Sequence, residues 1–222
     1  MSAAPSGVTM PVGGVLLHGD LTLPEGASGI VVFAHGSGSS RHSTRNRAVA
    51  AALQQAGLGT LLFDLLTEEE EQVDLRTRHL RFDIELLAER MVGVTDWLAA
   101  EESTRGLRIG YFGASTGAAA ALVAAARRPE RVGPVVSRGG RPDLADAALA
   151  AVSSPVLLIV GGADVDVLEL NRRAAEPIRS PVEVRVVPGA GHLFEEPGAL
   201  EEVARVATAF LAAHLPPVGP DG

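Results

Sequence analysis

Short apolar runs, each followed by a turn and then a stretch with helical spacing, set the strongest limit on how this chain can fold. The runs read as buried strands at Gly29–Ala34, Thr60–Phe63, Leu107–Phe112, Val132–Val136 (despite Pro134), Pro155–Val160 and Val182–Val187. They are apolar without alternation, as strands covered on both faces are. Between them, spacing and stop signals predict helices at Arg47–Ala56 (closed by Gly57), Arg81–Ala100, Ser115–Arg128, Leu144–Val152, Val165–Ala175 and Leu200–His214. In the long helix, Phe82, Leu86, Met91, Val94 and Leu98 fall near one face. Val15–Leu23, interrupted at Gly19-Asp20, reads as a short hairpin, and Glu68–Glu71 as a solvated loop. Alternation of this kind implies an α/β architecture: a mostly parallel central sheet with helices on both faces. In such sheets ligands bind outside the carboxyl ends of the strands, so the chemistry is expected in the turns that follow them.

Composition narrows the class. With 222 residues, 46% of them hydrophobic, residues 1–222 are expected to form a single domain, with loose ends at about 1–6 and 216–222. A net charge of −8 argues against a nucleic-acid partner. The absence of cysteine excludes disulfides, thiolate metal sites and a cysteine nucleophile. Residues Met1–Gly14 show no basic start followed by an apolar core, so no signal peptide is expected. The small-apolar run Gly113–Ala126 is too short to span a bilayer. A cytoplasmic protein without membrane contact is the expectation; the oligomeric state is left open.

The sharpest local feature is Gly113-Ala114-Ser115-Thr116-Gly117, a G-x-S-x-G pattern led in by the strand RIGYF and followed by an alanine-rich helix. A serine on such a turn projects its hydroxyl above the sheet, and the helix N-terminus points N–H groups toward developing negative charge. An ordinary N-cap serine on a glycine-rich turn is the plain alternative. A serine hydroxyl needs a base to take its proton, and the base needs a carboxylate to fix its tautomer. In this architecture the order along the chain is Ser, then Asp or Glu, then His. The strand ending at Val160 runs into Gly161-Gly162-Ala163-Asp164, and the strand ending at Val187 runs into Pro188-Gly189-Ala190-Gly191-His192. Ser115, Asp164 and His192 therefore read as nucleophile, orienter and base, with Asp166 as the alternative orienter. A histidine with an ordinary pKa near ~6.5 would give activity that rises around pH ~6–7.

After Gly29–Ala34 comes His35-Gly36-Ser37-Gly38-Ser39-Ser40. This loop is expected to supply the second donor of an oxyanion hole, from the N–H of Ser37 or alternatively Gly38, the first being the N–H of Thr116. Donors of this kind are worth about 3 kcal/mol each. His35 reads as a support for the loop. The loop lacks both the lysine of a phosphate loop and the G-x-G-x-x-G spacing, so nucleotide binding is not expected. Two arginine-bearing loops, SSRHSTRNR with Arg41, Arg45 and Arg47 and SRGGRPD with Arg138 and Arg141, lie on the same edge. Arg41 or Arg138 is expected either to read an anionic group on the substrate or to make structural salt bridges. The stretch between Val136 and Pro155 has room for one short helix, so no substantial cap and an open, shallow site are expected.

With these turns in place, GASTG, HGSGSS, SRGGRPDL, GGAD and GAGHLFEEPG together resemble the dienelactone-hydrolase-like branch of the α/β-hydrolases, over about Gly29 to Leu211. More narrowly, the sequence resembles small bacterial hydrolase domains that occur alone or fused to a phosphoribosyltransferase domain; no such second domain is expected within these residues. The resemblance implies an α/β-hydrolase fold and hydrolysis of a small-molecule carboxylic ester without metal or organic cofactor. Dienelactone hydrolases proper use a cysteine nucleophile, whereas position 115 is serine, which turns the expectation toward simple esters. Thioester hydrolysis, acyl transfer and a non-catalytic binding role on the same scaffold are the competing readings.

Overall fold

A computed structural model describes residues 4–216. Its strands are β1 (Ser6–Val12), β2 (Val15–Thr22), β3 (Gly29–Ala34), β4 (Gly59–Phe63), β5 (Arg108–Ala114), β6 (Val132–Arg138), β7 (Val156–Gly161) and β8 (Val182–Val187). Its α-helices are α1 (Thr44–Gln55), α2 (Glu68–Thr77), α3 (Ile84–Ala100), α4 (Thr116–Arg127), α5 (Val165–Ala175) and α6 (Ala199–His214). The strands make one sheet in the order β1-β2-β4-β3-β5-β6-β7-β8. The pairs β1/β2 and β2/β4 are antiparallel; every other pair is parallel. The expected architecture, a mostly parallel sheet between helices, is the one observed, and among the described residues no cap is inserted.

The two faces of the sheet are sorted by strand periodicity. Along β3, Ile30, Val32 and Ala34 join the core under α3 and α4, whereas Val31 and Phe33 join the core under α1 and α6. Along β7, Val156 and Leu158 take the first face and Leu157 and Ile159 the second. Every residue of β3, β4 and β7 is buried, which explains why these strands read as unbroken apolar runs. At the far edge, β8 alternates half-buried valines with exposed Glu183 and Arg185.

Several expectations are corrected. The hairpin turns at Gly13-Gly14, both at positive φ (57° and 85°), and joins β1 to β2. Gly19 instead lies within β2, where a Cβ would come within 3.0–3.1 Å of Leu61, Leu62 and Phe63. It marks close packing rather than a turn. Ser6, expected in a loose end, opens β1; of the expected loose ends, residues 1–3 and 217–222 lie outside the described residues. Glu68–Glu71 is the first turn of α2, closed by a capping box in which Thr67 Oγ1 accepts from Glu70 N–H and the Glu70 carboxylate accepts from Thr67 N–H. The long helix begins at Ile84 behind the N-cap Asp83, and Phe82, expected on its apolar face, is 56% exposed on a preceding 3-10 turn. The segment Pro142–Ala151 is 3-10 in character and kinked at Asp146. No helix among the described residues is long and apolar enough to cross a membrane.

Candidate active site

Ser115 occupies the turn between β5 and α4 with φ 51° and ψ −124°, a backbone conformation that a residue with a side chain adopts only when its surroundings enforce it. Its carbonyl accepts from Ala118 N–H (3.1 Å) and Arg141 N–H (3.0 Å). Gly117 lets the start of α4 press against the end of β3: a Cβ there would collide with the Ala34 and His35 carbonyl oxygens. The glycine of the motif therefore fixes where the helix begins, and through it where the serine stands.

Asp164 and His192 follow adjacent strands, β7 and β8, and their turns are tied together. Gly162 N–H donates to Val187 O (2.8 Å) and Ala163 N–H to Ala190 O (2.9 Å). A Cβ on Gly161 would collide with the Ala190 and Gly191 carbonyl oxygens, so the two turns touch backbone to backbone. The Glu196 carboxylate accepts from Gly191 N–H (3.0 Å) and holds the turn just before His192. His192 Nδ1–H donates to Asp164 Oδ2 at 2.8 Å, which leaves Nε2 unprotonated in the neutral ring. Asp166 stays exposed in the first turn of α5. The His192 side chain is 40% exposed. His192 and Ser115 line one open cavity of about 230 Å³, together with Gly36, Ser37 and Arg138. Among the described residues Ser115 Oγ makes no hydrogen bond to His192; contacts of this kind commonly tighten only when substrate binds.

The loop after β3 closes beside the serine. Ser37 Oγ and Thr116 Oγ1 are 3.1 Å apart, and a Cβ on Gly36 would lie 3.0 Å from Ser115 Cβ. Thr116 is the first residue of α4, so its N–H has no acceptor within the helix. Ser37 and Thr116 are therefore neighbours, while Gly38 forms the exposed tip of the loop at φ 67°. His35 is pinned at both ring nitrogens: Nδ1–H donates to Gly36 O (3.0 Å) and Nε2 accepts from Leu65 N–H (3.1 Å). Loss of water around the ring lowers its pKa, against smaller opposing effects of the Gly36 carbonyl, Asp64 and Glu71, so the neutral ring buttresses the loop.

The arginines separate into two groups. Arg41 is held by Asp64, whose carboxylate takes both its backbone N–H (2.8 Å) and its guanidinium, and lies 3.8 Å from Asp20. Of the two expectations for Arg41, the structure gives it the salt-bridged position, outside the cavity lining. Arg138, the last residue of β6, stands beside Ala114 in the register of the sheet and lines the cavity. It is only 8% exposed, and its Nη1 has no hydrogen-bond partner among the described residues. Burial, helped by the nearby positive charge of Arg45, brings its pKa down to about 10. Arg45 and Asn46 also line this cavity, and sequence reasoning did not single them out as site residues. Ser43, which accepts from Asn46 N–H, starts α1 at Thr44 rather than Arg47. That N-cap was the available signal, because it places Arg45 in the helix's first turn.

Comparison with known proteins agrees with this architecture. The dienelactone hydrolase family model matches residues 17–214. The crystal structure of a dienelactone hydrolase from Anabaena variabilis superimposes with a TM-score of 0.96 at 59% identity, over 97% of this chain and 100% of that one. A putative phosphoribosyl transferase of Mycobacterium tuberculosis is 59% identical over 215 residues, which are 97% of this chain and 48% of that protein. The chain thus spans about half the length of that curated relative. Est1E from Butyrivibrio proteoclasticus, at 15% identity and a TM-score of 0.77 over 93% of this chain and 98% of its own, shares the fold. By the family match and these relatives, the chain is an α/β-hydrolase that belongs to the dienelactone hydrolase family.

Proposed function

We propose that the protein hydrolyses small carboxylic esters through an acyl-enzyme, with Ser115 as nucleophile, His192 as general base and acid, and Asp164 as the orienter of His192. The observation that carries this reading is the 2.8 Å bond from His192 Nδ1–H to Asp164, in a cavity shared with a strained Ser115. That bond leaves Nε2 as the proton acceptor. As Ser115 Oγ attacks the ester carbonyl carbon, its proton passes to Nε2 and the carbonyl oxygen becomes an oxyanion. The N–H groups of Thr116 and Ser37 face that oxyanion, with Gly38 as the alternate donor. Collapse expels the alcohol, which takes the proton from His192, and the acyl group stays on Ser115. Water then repeats the two steps, returning the acid and the free serine. A thioester would pass through the same acyl-enzyme, and the exposure of His192 favours water as the second acceptor.

The test is steady-state hydrolysis of p-nitrophenyl acetate and butyrate by wild type and Ser115→Ala, with folding matched by circular dichroism. Turnover by wild type and a loss of at least about 10³-fold in the folded variant is expected. A folded wild type that does not react with either ester or with a fluorophosphonate would overturn the reading and favour a binding protein on this scaffold.

A further inference from the structure

The first turn of α1 carries charge of the wrong sign for its position. A helix N-terminus is the positive end of the macrodipole and favours acidic residues. Here the first turn holds no acidic residue and does hold Arg45. Arg45 lines the same cavity as a second cation, Arg138, whose pKa the charge of Arg45 helps to lower. The compensation is weak. Glu195 approaches Arg45 only to 3.5 Å, is 69% exposed, and stands outside the cavity lining. No carboxylate lines the cavity among the described residues. Two nearly buried donors at this corner lack partners there: Arg138 Nη1 and Arg45 Nε. Buried polar groups normally find partners, and a buried charge normally finds an opposite one. Ser39 and Ser43 add hydroxyl groups to the same wall.

We propose that this corner, formed by the N-terminus of α1 with Arg45 and Arg138, is a phosphate subsite, so that the ester cleaved at Ser115 carries a phosphate monoester group. The assignment of an ester rests on Ser115 acting as proposed above; the subsite itself does not. Two guanidinium groups and a helix N-terminus together exceed the charge of one carboxylate. A phosphate monoester, at about −1.5 to −2 near neutral pH, matches them and offers oxygens to both forks. Because the cavity is only about 230 Å³ and also holds Ser115 and His192, the phosphate stands a short linker away from the scissile carbonyl.

The experiment is isothermal titration of the full chain with inorganic phosphate, in parallel with acetate, for wild type, Ser115→Ala, Arg45→Met, Arg138→Met and Arg138→Lys. Wild type and Ser115→Ala are expected to bind phosphate equally. Each methionine variant should weaken binding by at least about tenfold, with Arg138→Lys between. Ser115→Ala keeps the test separate from catalysis: phosphate binding with no esterase activity would sink the esterase reading alone. Should Arg138→Met not fold, Arg45→Met, at a half-buried position, carries the comparison. The phosphate subsite is overturned if folded wild type shows no phosphate binding, if the methionine variants bind as wild type does, or if acetate binds as tightly as phosphate.

Discussion

Arg138 holds its charge where the free protein gains little from it. A pKa brought from 12.5 to about 10 corresponds to a cost on the order of 3 kcal/mol for keeping the guanidinium protonated at neutral pH. The sign follows directly: a base whose folded-state pKa is depressed destabilises the fold at every pH below its ordinary value. Arg138→Met is therefore expected to raise Tm in phosphate-free buffer by a few degrees, measured by thermal unfolding; a lower Tm would mean that the charge is compensated. His35 obeys the same sign at a different pH. Its depressed pKa makes stability complete above the ordinary histidine value near ~6.5 and erodes it as pH falls below. Tm should thus fall between pH 7.5 and 5.5, and His35→Asn should flatten that fall. With Asp164 as the proposed orienter, Asp164→Asn is expected to cut kcat on the order of 10⁴-fold, whereas Asp166→Asn, exposed in the first turn of α5, should leave it within a few-fold. Placement of Ser115, Asp164 and His192 in adjoining turns was legible because each follows a buried strand. Arg45 was legible only as one member of an arginine-bearing loop, because its place in the cavity lining depends on the Ser43 N-cap and on Arg138 from a distant strand.

Among the elements, those the sequence hides are the ones that bury little. In α2 only Asp74 is buried, so no apolar stripe announces the helix, and its glutamate run looks like solvated loop. What makes it a helix is the Thr67–Glu70 capping box, acidic residues at the positive end, and the Asp74 carboxylate clamped by Arg81. Thr67→Ala should cost about 1 kcal/mol, felt within α2. Amide hydrogen exchange should accelerate roughly fivefold across Glu68–Thr77 and stay unchanged in β5, because the loss is local. Acceleration throughout the sheet would show that α2 is coupled to the global fold. β1 escaped detection for a related reason: it is an edge strand, mostly exposed, with Pro11 in it. The parallel strands were readable because burial on both faces leaves only apolar residues along them.

At the scale of the molecule, the sheet order explains where the site is. From β3 the chain passes to β4 on one side and later returns to β5 on the other. The loops that follow β3 and β5 diverge at this switch, and the crevice between them holds Ser37 beside Ser115 and Thr116. Among the described residues only the 3-10 segment Pro142–Ala151 lies between β6 and β7, and the cavity at Ser115 is open. Each buried methylene is worth about 0.8 kcal/mol, or roughly fourfold in kcat/KM. An open cavity of about 230 Å³ collects little of that gain, so p-nitrophenyl esters from butyrate to octanoate should be cleaved with kcat/KM values within a few-fold of one another. A steep rise with chain length would reveal an enclosed acyl tunnel.

The stitching of the Asp164 turn to the His192 turn has a mechanical consequence. The proposed base and orienter, His192 and Asp164, ride together on the rim of the sheet, after β8 and β7, while the proposed nucleophile, Ser115, follows β5 near its middle. Bending of the sheet therefore leaves the 2.8 Å histidine–aspartate link intact and changes the gap between serine and histidine. In the proposed mechanism proton abstraction is the step exposed to the flexing of that edge, and a lesion in β8 would silence Ser115 while most of the sheet stays folded.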